Sequence, residues 1–224
     1  MSTSARFKLI IVIGFIIIAA FTVSRKYRTA DKQLLPIGNP FVNIELQNGD
    51  LIFQTSLSAQ SKAIQLATHS PYSHCGLIYK EGTKYFVFEA VQPVKLTPLD
   101  KWIARGNKGH FVVKRLKNAD QVLTPQVQQK MKAVCSELKG KDYDIYFGWS
   151  DDRIYCSELI WKVYQRAAGV EIGKLEKLKD FDLSDKEVKK IMKARYGNAI
   201  PENEKVISPK SIFESNLLET IKEE

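Results

Sequence analysis

The chain has 224 residues, enough for one globular domain with a sizeable core, and its 44% hydrophobic and 26% charged residues exclude a low-complexity chain. The formal net charge of +9 is concentrated towards the start, because residues 1–28 contain five basic side chains and no acidic one. The sequence has no basic motif interleaved with aromatic residues, so we expect no nucleic-acid partner.

The N-terminal segment is strongly apolar. Residues 9–23 contain no charged side chain, and basic residues flank them on both sides. Counted from Phe7, with Lys8 free to snorkel, the segment reaches 17 residues, which is near the lower limit for a transmembrane helix and equally fits the hydrophobic part of a secretory signal. We therefore expect an N-terminal hydrophobic helix, with residues 1–24 as a signal peptide or membrane anchor and residues 25–45 as a tether. The protein is then predicted to be membrane-anchored or exported, on the extracytoplasmic side, with the membrane as a partner through this helix.

Downstream, turn residues separate short β-rich runs from segments with helical spacing of apolar residues. These patterns predict strands at 51–55, 74–80, 84–91 and 110–117, and helices at 58–68, 96–106, 124–139, 156–168, 184–197 and 208–215. The order of elements predicts an α+β fold in which an antiparallel sheet packs against helices. We expect this domain to cover residues 46–216, followed by a charged C-terminal tail at 217–224.

Two of the predicted strands form a hairpin that brings a histidine towards an acid. With Glu81-Gly82 as a two-residue loop, counting outward along both strands sets His74 opposite Glu89 on one face of the sheet. A four-residue loop would shift the partner but keep both side chains on that face as diagonal neighbours, whereas a single-residue slip would separate them. We expect the carboxylate to orient the imidazole and to fix its tautomer.

A cysteine stands at the predicted start of helix 156–168. The helix N-terminus and a nearby imidazolium both favour the thiolate form of Cys156, and backbone N–H groups at a helix start can hold a developing oxyanion. Together with His74 and Glu89, this cysteine completes the Cys–His–acid arrangement of thiol hydrolases.

The other two cysteines and two tyrosines near the site have simpler interpretations. None of the three cysteines has the spacing of a zinc site, and they cannot all pair. We interpret Cys75 and Cys135 as buried, unreactive residues, and Cys75 alternates with its neighbour in the strand and so faces the other side. Tyr72 and Tyr155 flank the site and could shape an oxyanion hole, but packing in the core is the simpler role for each.

The chain resembles the YiiX/YaeF family of permuted papain-like hydrolases, within the broader NlpC-type papain-like group, and is similar in arrangement to lecithin-retinol acyltransferase. The resemblance covers roughly residues 46–216 and rests on four segments in chain order: "GDLIF" at 49–53, "YSHCGLIY" at 72–79, "FEA" at 88–90 and "YCSELIWKVY" at 155–164. Here His74 precedes Cys156, as the permuted family requires, whereas ordinary papain-like enzymes place the cysteine first. The resemblance implies a permuted papain-like fold with Cys156 as nucleophile, His74 as base and Glu89 as the third member.

These observations favour a cysteine hydrolase, an amidase or peptidase, that cleaves an amide bond without a cofactor or a metal. The expected substrate is a cell-wall peptide or an N-acylated amino compound. One alternative is a lipid acyl hydrolase or acyltransferase, so the substrate could be peptide-like or lipid-like. Another alternative is a catalytically inactive module that binds a lipid or a peptide.

Overall fold

The computed structural model describes residues 45–224; the predicted leader at residues 1–24 and the predicted tether up to residue 44 lie outside the described residues. Among residues 45–224, no helix combines the length and the apolar character that crossing a membrane requires. The segment for which we expected such a helix is not among them.

The centre of the fold is a six-stranded antiparallel sheet, and with the surrounding helices it confirms the α+β class. Its strands are β1 (Leu51–Gln54), β2 (His74–Glu81), β3 (Lys84–Glu89), β4 (Lys95–Pro98), β5 (Val112–Leu116) and β10 (Leu218–Glu223). Their order in the sheet is β10-β5-β1-β2-β3-β4. Two further pairs of short strands lie outside this sheet: β6 (Asp142–Tyr143) with β7 (Arg153–Ile154), and β8 (Glu176–Lys177) with β9 (Lys205–Val206).

The helices of the described residues mostly match the predicted ones. They are α1 (Ala59–Thr68), α2 (Leu99–Ala104), α3 (Ala119–Val122), α4 (Pro125–Leu138), α5 (Cys156–Ala168), α6 (Lys186–Tyr196) and α7 (Pro209–Phe213). Helix α5 packs on β2 and α4 packs on α5, so the main core fills the space between one face of the sheet and these helices. A smaller apolar cluster joins α1 to α6.

The segment predicted as a charged tail is part of the sheet, so that prediction is wrong. Strand β10 pairs with β5 in antiparallel register, and Leu218 is buried while most of the charged side chains remain exposed or half-buried. An edge strand has one unpaired side and tolerates such charges, which also discourage pairing with other chains. A run of Glu and Lys was therefore a poor indicator of an unstructured end.

The hairpin of β2 and β3 has a register two residues away from the predicted one. Glu81 pairs with Lys84, so the turn is Gly82-Thr83, and Gly82 has the positive φ of 59° that this turn requires. Gly76 consequently lies against Glu89, and a Cβ atom at Gly76 would stand 2.3 Å from the Val87 Cγ1 atom. The even shift keeps the chosen histidine and glutamate on one face as diagonal neighbours.

Helix 96–106 was predicted too long, because its first residues form β4. Thr97 pairs with Val87 in the sheet, and the helix α2 begins only after Pro98. This edge strand sends the Thr97 side chain to the buried face on which Glu89 lies.

Candidate active site

The start of α5 is held in place by a neighbouring segment. The Ser157 hydroxyl donates to the Ile207 carbonyl oxygen at 2.7 Å, and the Ile207 N–H donates to the Tyr155 hydroxyl oxygen at 3.1 Å. The Tyr155 N–H also donates to the Glu158 carboxylate at 3.3 Å, so the backbone N–H of the residue before the helix has a hydrogen-bond partner. These contacts fix Cys156 as the first residue of the helix, where it is 2% exposed.

The predicted histidine and glutamate are in direct contact. His74 Nε2 lies 2.6 Å from the Glu89 Oε2 atom, and Glu89 is fully buried. The second carboxylate oxygen of Glu89 accepts hydrogen bonds from the Thr97 hydroxyl at 2.5 Å and from the Arg105 guanidinium. A buried carboxylate with all of these partners has a fixed orientation, so it fixes the imidazole as well.

The imidazole also reaches the cysteine. With Nε2 directed at Glu89, Nδ1 is the nitrogen left to interact with Cys156, whose proximity contributes to raising the pKa of His74. The other side of the ring packs on Trp102, with centroids 5.8 Å apart and the planes inclined by 25°. The structure therefore brings together all three residues that the sequence selected.

The side chains of this cluster shift one another's pKa values. Burial by itself lowers the pKa of His74, but its contacts with Cys156 and Glu89 outweigh burial and raise the pKa to about 9. Burial likewise opposes ionisation of Glu89, yet the hydrogen bonds from His74 and Thr97 and the charge of Arg105 leave its pKa lowered. These shifts favour an imidazolium between a thiolate and a carboxylate.

Cys75 has a contact that the sequence analysis missed. Interaction with the Cys75 side chain, ahead of the interaction with His74, is the largest cause that places the pKa of Cys156 well below its usual range. Alternation along β2 does turn Cys75 away from His74, but α5 packs on that other face and begins with Cys156. Burial and the neighbouring thiolate raise the pKa of Cys75, so it remains a thiol.

The remaining residues that we singled out behave as packed side chains. Burial raises the pKa of Cys135 to about 12, in agreement with an unreactive residue. Tyr72 stacks on Phe213 with centroids 4.2 Å apart, and Tyr155 packs edge-on against Phe147. Both tyrosines therefore support the core and the helix start.

An apolar cavity of about 90 Å³, partly open to solvent, reaches Cys156 from the side of α1 and α6. Its wall is almost entirely apolar in exposed surface. The lining residues are Gln60, Ala63, Ile64, Ala67, Thr68, Tyr143, Phe147, Tyr155, Cys156, Ser157, Leu178, Phe181, Leu183, Val188, Ile191, Met192, Arg195, Val206, Ile207, Ser208 and Pro209. The sequence analysis did not foresee this cavity, because its wall comes from segments that lie far apart in the chain.

Tyr143 is a further polar group near Cys156 that the sequence analysis missed. It pairs with Ile154 in the short parallel ladder of β6 and β7, and Ile154 is only two residues before Cys156. The Gln60 Nε2 group donates to the Tyr143 hydroxyl oxygen at 3.1 Å, which leaves the hydroxyl hydrogen available to another acceptor. Burial, together with the negative charge of Cys156, raises the pKa of Tyr143, so it stays a donor.

Comparison with known proteins identifies the family to which this chain belongs. Residues 45–222 match the model of the family described as "Permuted papain-like amidase enzyme, YaeF/YiiX, C92 family". The chain belongs to this family. It is 51% identical over 178 residues to the uncharacterized protein YiiX of Escherichia coli strain K12, covering 80% of this chain and 87% of that protein. A solved structure of YiiX from Escherichia coli O157:H7 superposes with a TM-score of 0.77 at 51% identity, covering 81% of this chain and 99% of that one.

Membership in the YaeF/YiiX family identifies the fold as permuted papain-like and supports cysteine-hydrolase chemistry in general. The expectation of no metal partner, however, is contradicted by the solved relative, which is named a metalloprotein. Among residues 45–224, no group of three or more His, Cys, Asp or Glu side chains could hold a metal ion. These described residues do not fit a metal site, and no step proposed below involves a metal.

Proposed function

We propose that this protein is an amidase that hydrolyses an N-acylated amino compound, with Cys156 as nucleophile, His74 as general base and acid, and Glu89 as the group that orients His74. The observation that carries this proposal is the buried Cys–His–Glu cluster at the start of α5, at the end of an apolar cavity. Membership in a family of papain-like amidases agrees with it.

In the proposed reaction, the Cys156 thiolate attacks the amide carbonyl carbon and forms a tetrahedral oxyanion. N–H groups at the start of α5, with the Tyr143 hydroxyl, would donate hydrogen bonds to this oxyanion. His74 then gives its proton to the leaving nitrogen, so the amine departs and a thioester remains on Cys156. Water attacks the thioester after giving a proton to His74, which releases a carboxylic acid and restores the thiolate.

The apolar wall of the cavity supports one of the substrate classes that the sequence left open. A cell-wall stem peptide carries charged and amide groups that would lose their hydration against an almost entirely apolar wall. An acyl chain instead gains about 0.8 kcal/mol for each methylene group that it buries there. The geometry therefore favours a long acyl group bonded to an amine.

A lipid acyl hydrolase or acyltransferase is the second candidate, because the same cavity would accept the acyl chain of an ester. The two candidates differ in the leaving group and not in the acyl group. They are separated by the ratio of amide to ester hydrolysis, corrected for the difference in intrinsic reactivity measured with a small thiol as catalyst.

The test is hydrolysis of a series of N-acylated glycine amides whose acyl chains lengthen from acetyl to dodecanoyl, followed by release of the amine. We expect kcat/KM to rise with chain length and to vanish in Cys156→Ala, while the matched control Cys135→Ala retains activity. Equal cleavage of acetyl and dodecanoyl substrates, or preference for a stem peptide, would reject the acyl-amide assignment. Activity that survives in Cys156→Ala would reject the nucleophile, and absence of any turnover with retained binding would indicate an inactive binding module.

A further inference from the structure

The wall of the cavity contains one basic side chain among its described residues, and that is Arg195. It stands in the last turn of α6, in register with Val188 and Met192 on the helix face that forms the small apolar cluster. The described wall of the cavity is therefore apolar apart from a few polar side chains and one positive charge at the last turn of α6.

The Arg195 guanidinium has few partners for a half-buried charge. One of its nitrogens donates to Gln60 Oε1 at 2.7 Å, and its carbon lies 5.2 Å from the centre of the Phe147 ring. Within residues 45–224, no carboxylate oxygen lies within 4.0 Å of this guanidinium. The nearby Asp144 carboxylate is occupied by the N–H groups of Tyr146 and Gly148 at 2.8 and 2.7 Å.

An arginine in such a position normally has an anionic partner, because burial of a charge without one is unfavourable. Burial lowers the pKa of Arg195 from its usual value, but a guanidinium remains charged in proteins. Five N–H donors belong to this group, and the hydrogen bond to Gln60 leaves several of them for a ligand.

A chain of two hydrogen bonds connects this charge to the reacting end of the cavity. Arg195 holds the oxygen of the Gln60 side chain, so the Gln60 amide nitrogen faces the Tyr143 hydroxyl at 3.1 Å. Tyr143 in turn lines the cavity together with Cys156, and its strand partner Ile154 is two residues before Cys156. An anion on Arg195 would thus sit near the bond that Cys156 attacks, and not at the distant end of the acyl chain.

We propose that Arg195 is the subsite for a carboxylate on the amine side of the substrate, so that the enzyme selects N-acyl amino acids over neutral acyl amides. A planar carboxylate matches the fork of one guanidinium. A phosphate group normally collects several cations or helix N-termini, whereas the described lining residues supply a single cation and the start of α5, which the proposed reaction already uses for the oxyanion. This inference rests on the hydrolase function proposed above and names the leaving half of its substrate.

The test compares N-dodecanoylglycine with N-dodecanoylglycinamide, which differ only in the carboxylate. The full chain is used, and thermal unfolding verifies that each variant is folded. We expect the wild type to hydrolyse the carboxylate substrate with a kcat/KM about tenfold to hundredfold higher, as a charge-assisted pair implies. In Arg195→Gln this ratio should fall towards one. Lys193→Gln, which removes an exposed charge from the same helix turn, should keep the wild-type ratio.

Binding provides an arm that does not depend on turnover. With Cys156→Ala as background, calorimetry should show tighter binding of N-dodecanoylglycine than of the glycinamide, and the difference should disappear when Arg195→Gln is added. If this difference is present but the wild type hydrolyses neither compound, the carboxylate subsite stands and the amidase proposal fails. If the wild type prefers the neutral amide, or if the preference for the carboxylate survives in Arg195→Gln, the subsite is wrong whatever the rate of hydrolysis.

Discussion

Removal of the Cys75 thiol is expected to make Cys156 less reactive, although Cys75 itself takes no part in the chemistry. Interaction with Cys75, which we attribute to a hydrogen bond from its thiol, is the largest cause of the lowered pKa of Cys156, and both residues are at most 2% exposed in the core. A hydrogen bond to a charged group contributes about 1.5–3 kcal/mol to stability, so its loss reduces the thiolate population about tenfold to hundredfold wherever the thiol form predominates.

The assay is alkylation by iodoacetamide, with the rate constant at Cys156 followed by mass spectrometry as a function of pH. In Cys75→Ala the pH at which Cys156 becomes reactive should move upward, and the rate constant on the acidic limb should fall by the stated factor. Cys75→Ser keeps an O–H donor at the same place and should stay close to the wild type. Cys135→Ala controls for the loss of a thiol elsewhere. If Cys75→Ala is alkylated at the wild-type rate at every pH, the thiol does not stabilise the thiolate.

Three other changes have expected outcomes. Glu89→Gln removes the carboxylate that stabilises the His74 imidazolium, whose pKa is raised to about 9. The decline of activity at alkaline pH should therefore begin at a lower pH than in the wild type. An unchanged pH profile would mean that Glu89 does not stabilise the imidazolium. Arg105→Gln should lower kcat about threefold to tenfold with little effect on KM, because a half-exposed Arg105 orients Glu89 from outside; a change confined to KM would place it in substrate binding instead. Gly76→Ala should lower the free energy of unfolding in urea by about 1–3 kcal/mol, since the new methyl group overlaps Val87; unaltered stability would mean that the hairpin can shift.

Local patterns in the sequence were sufficient for the elements that carry the site. The helix beginning at Cys156 was predicted with its observed bounds, because the apolar spacing and the following Gly169 mark it clearly. The face shared by His74 and Glu89 was also predicted correctly even though the turn was placed wrongly. An error of two residues in register leaves each side chain on its face, so this inference was robust.

Features that depend on distant segments were not predictable in this way. The contact between Cys75 and Cys156 requires knowledge of which sheet face α5 covers, and alternation along one strand does not supply it. Tyr143 reaches the site only through its ladder with Ile154. The cavity needs α1 and α6 to pack together, and the C-terminal strand needs β5 as a partner. Each of these is a tertiary contact that hydropathy and turn signals do not encode.

The central claim is that Cys156 is a nucleophile that receives a long acyl group. Its most direct test is treatment of the protein with a long-chain alkyl chloromethyl ketone, followed by peptide mass spectrometry, with the methyl analogue as the short-chain comparison. We predict stoichiometric modification of Cys156 by the long-chain reagent, much faster than by the short one, no modification in His74→Ala on the same timescale, and none at Cys75 or Cys135. Modification of Cys135 in place of Cys156, or equal rates for the two reagents, would contradict the account.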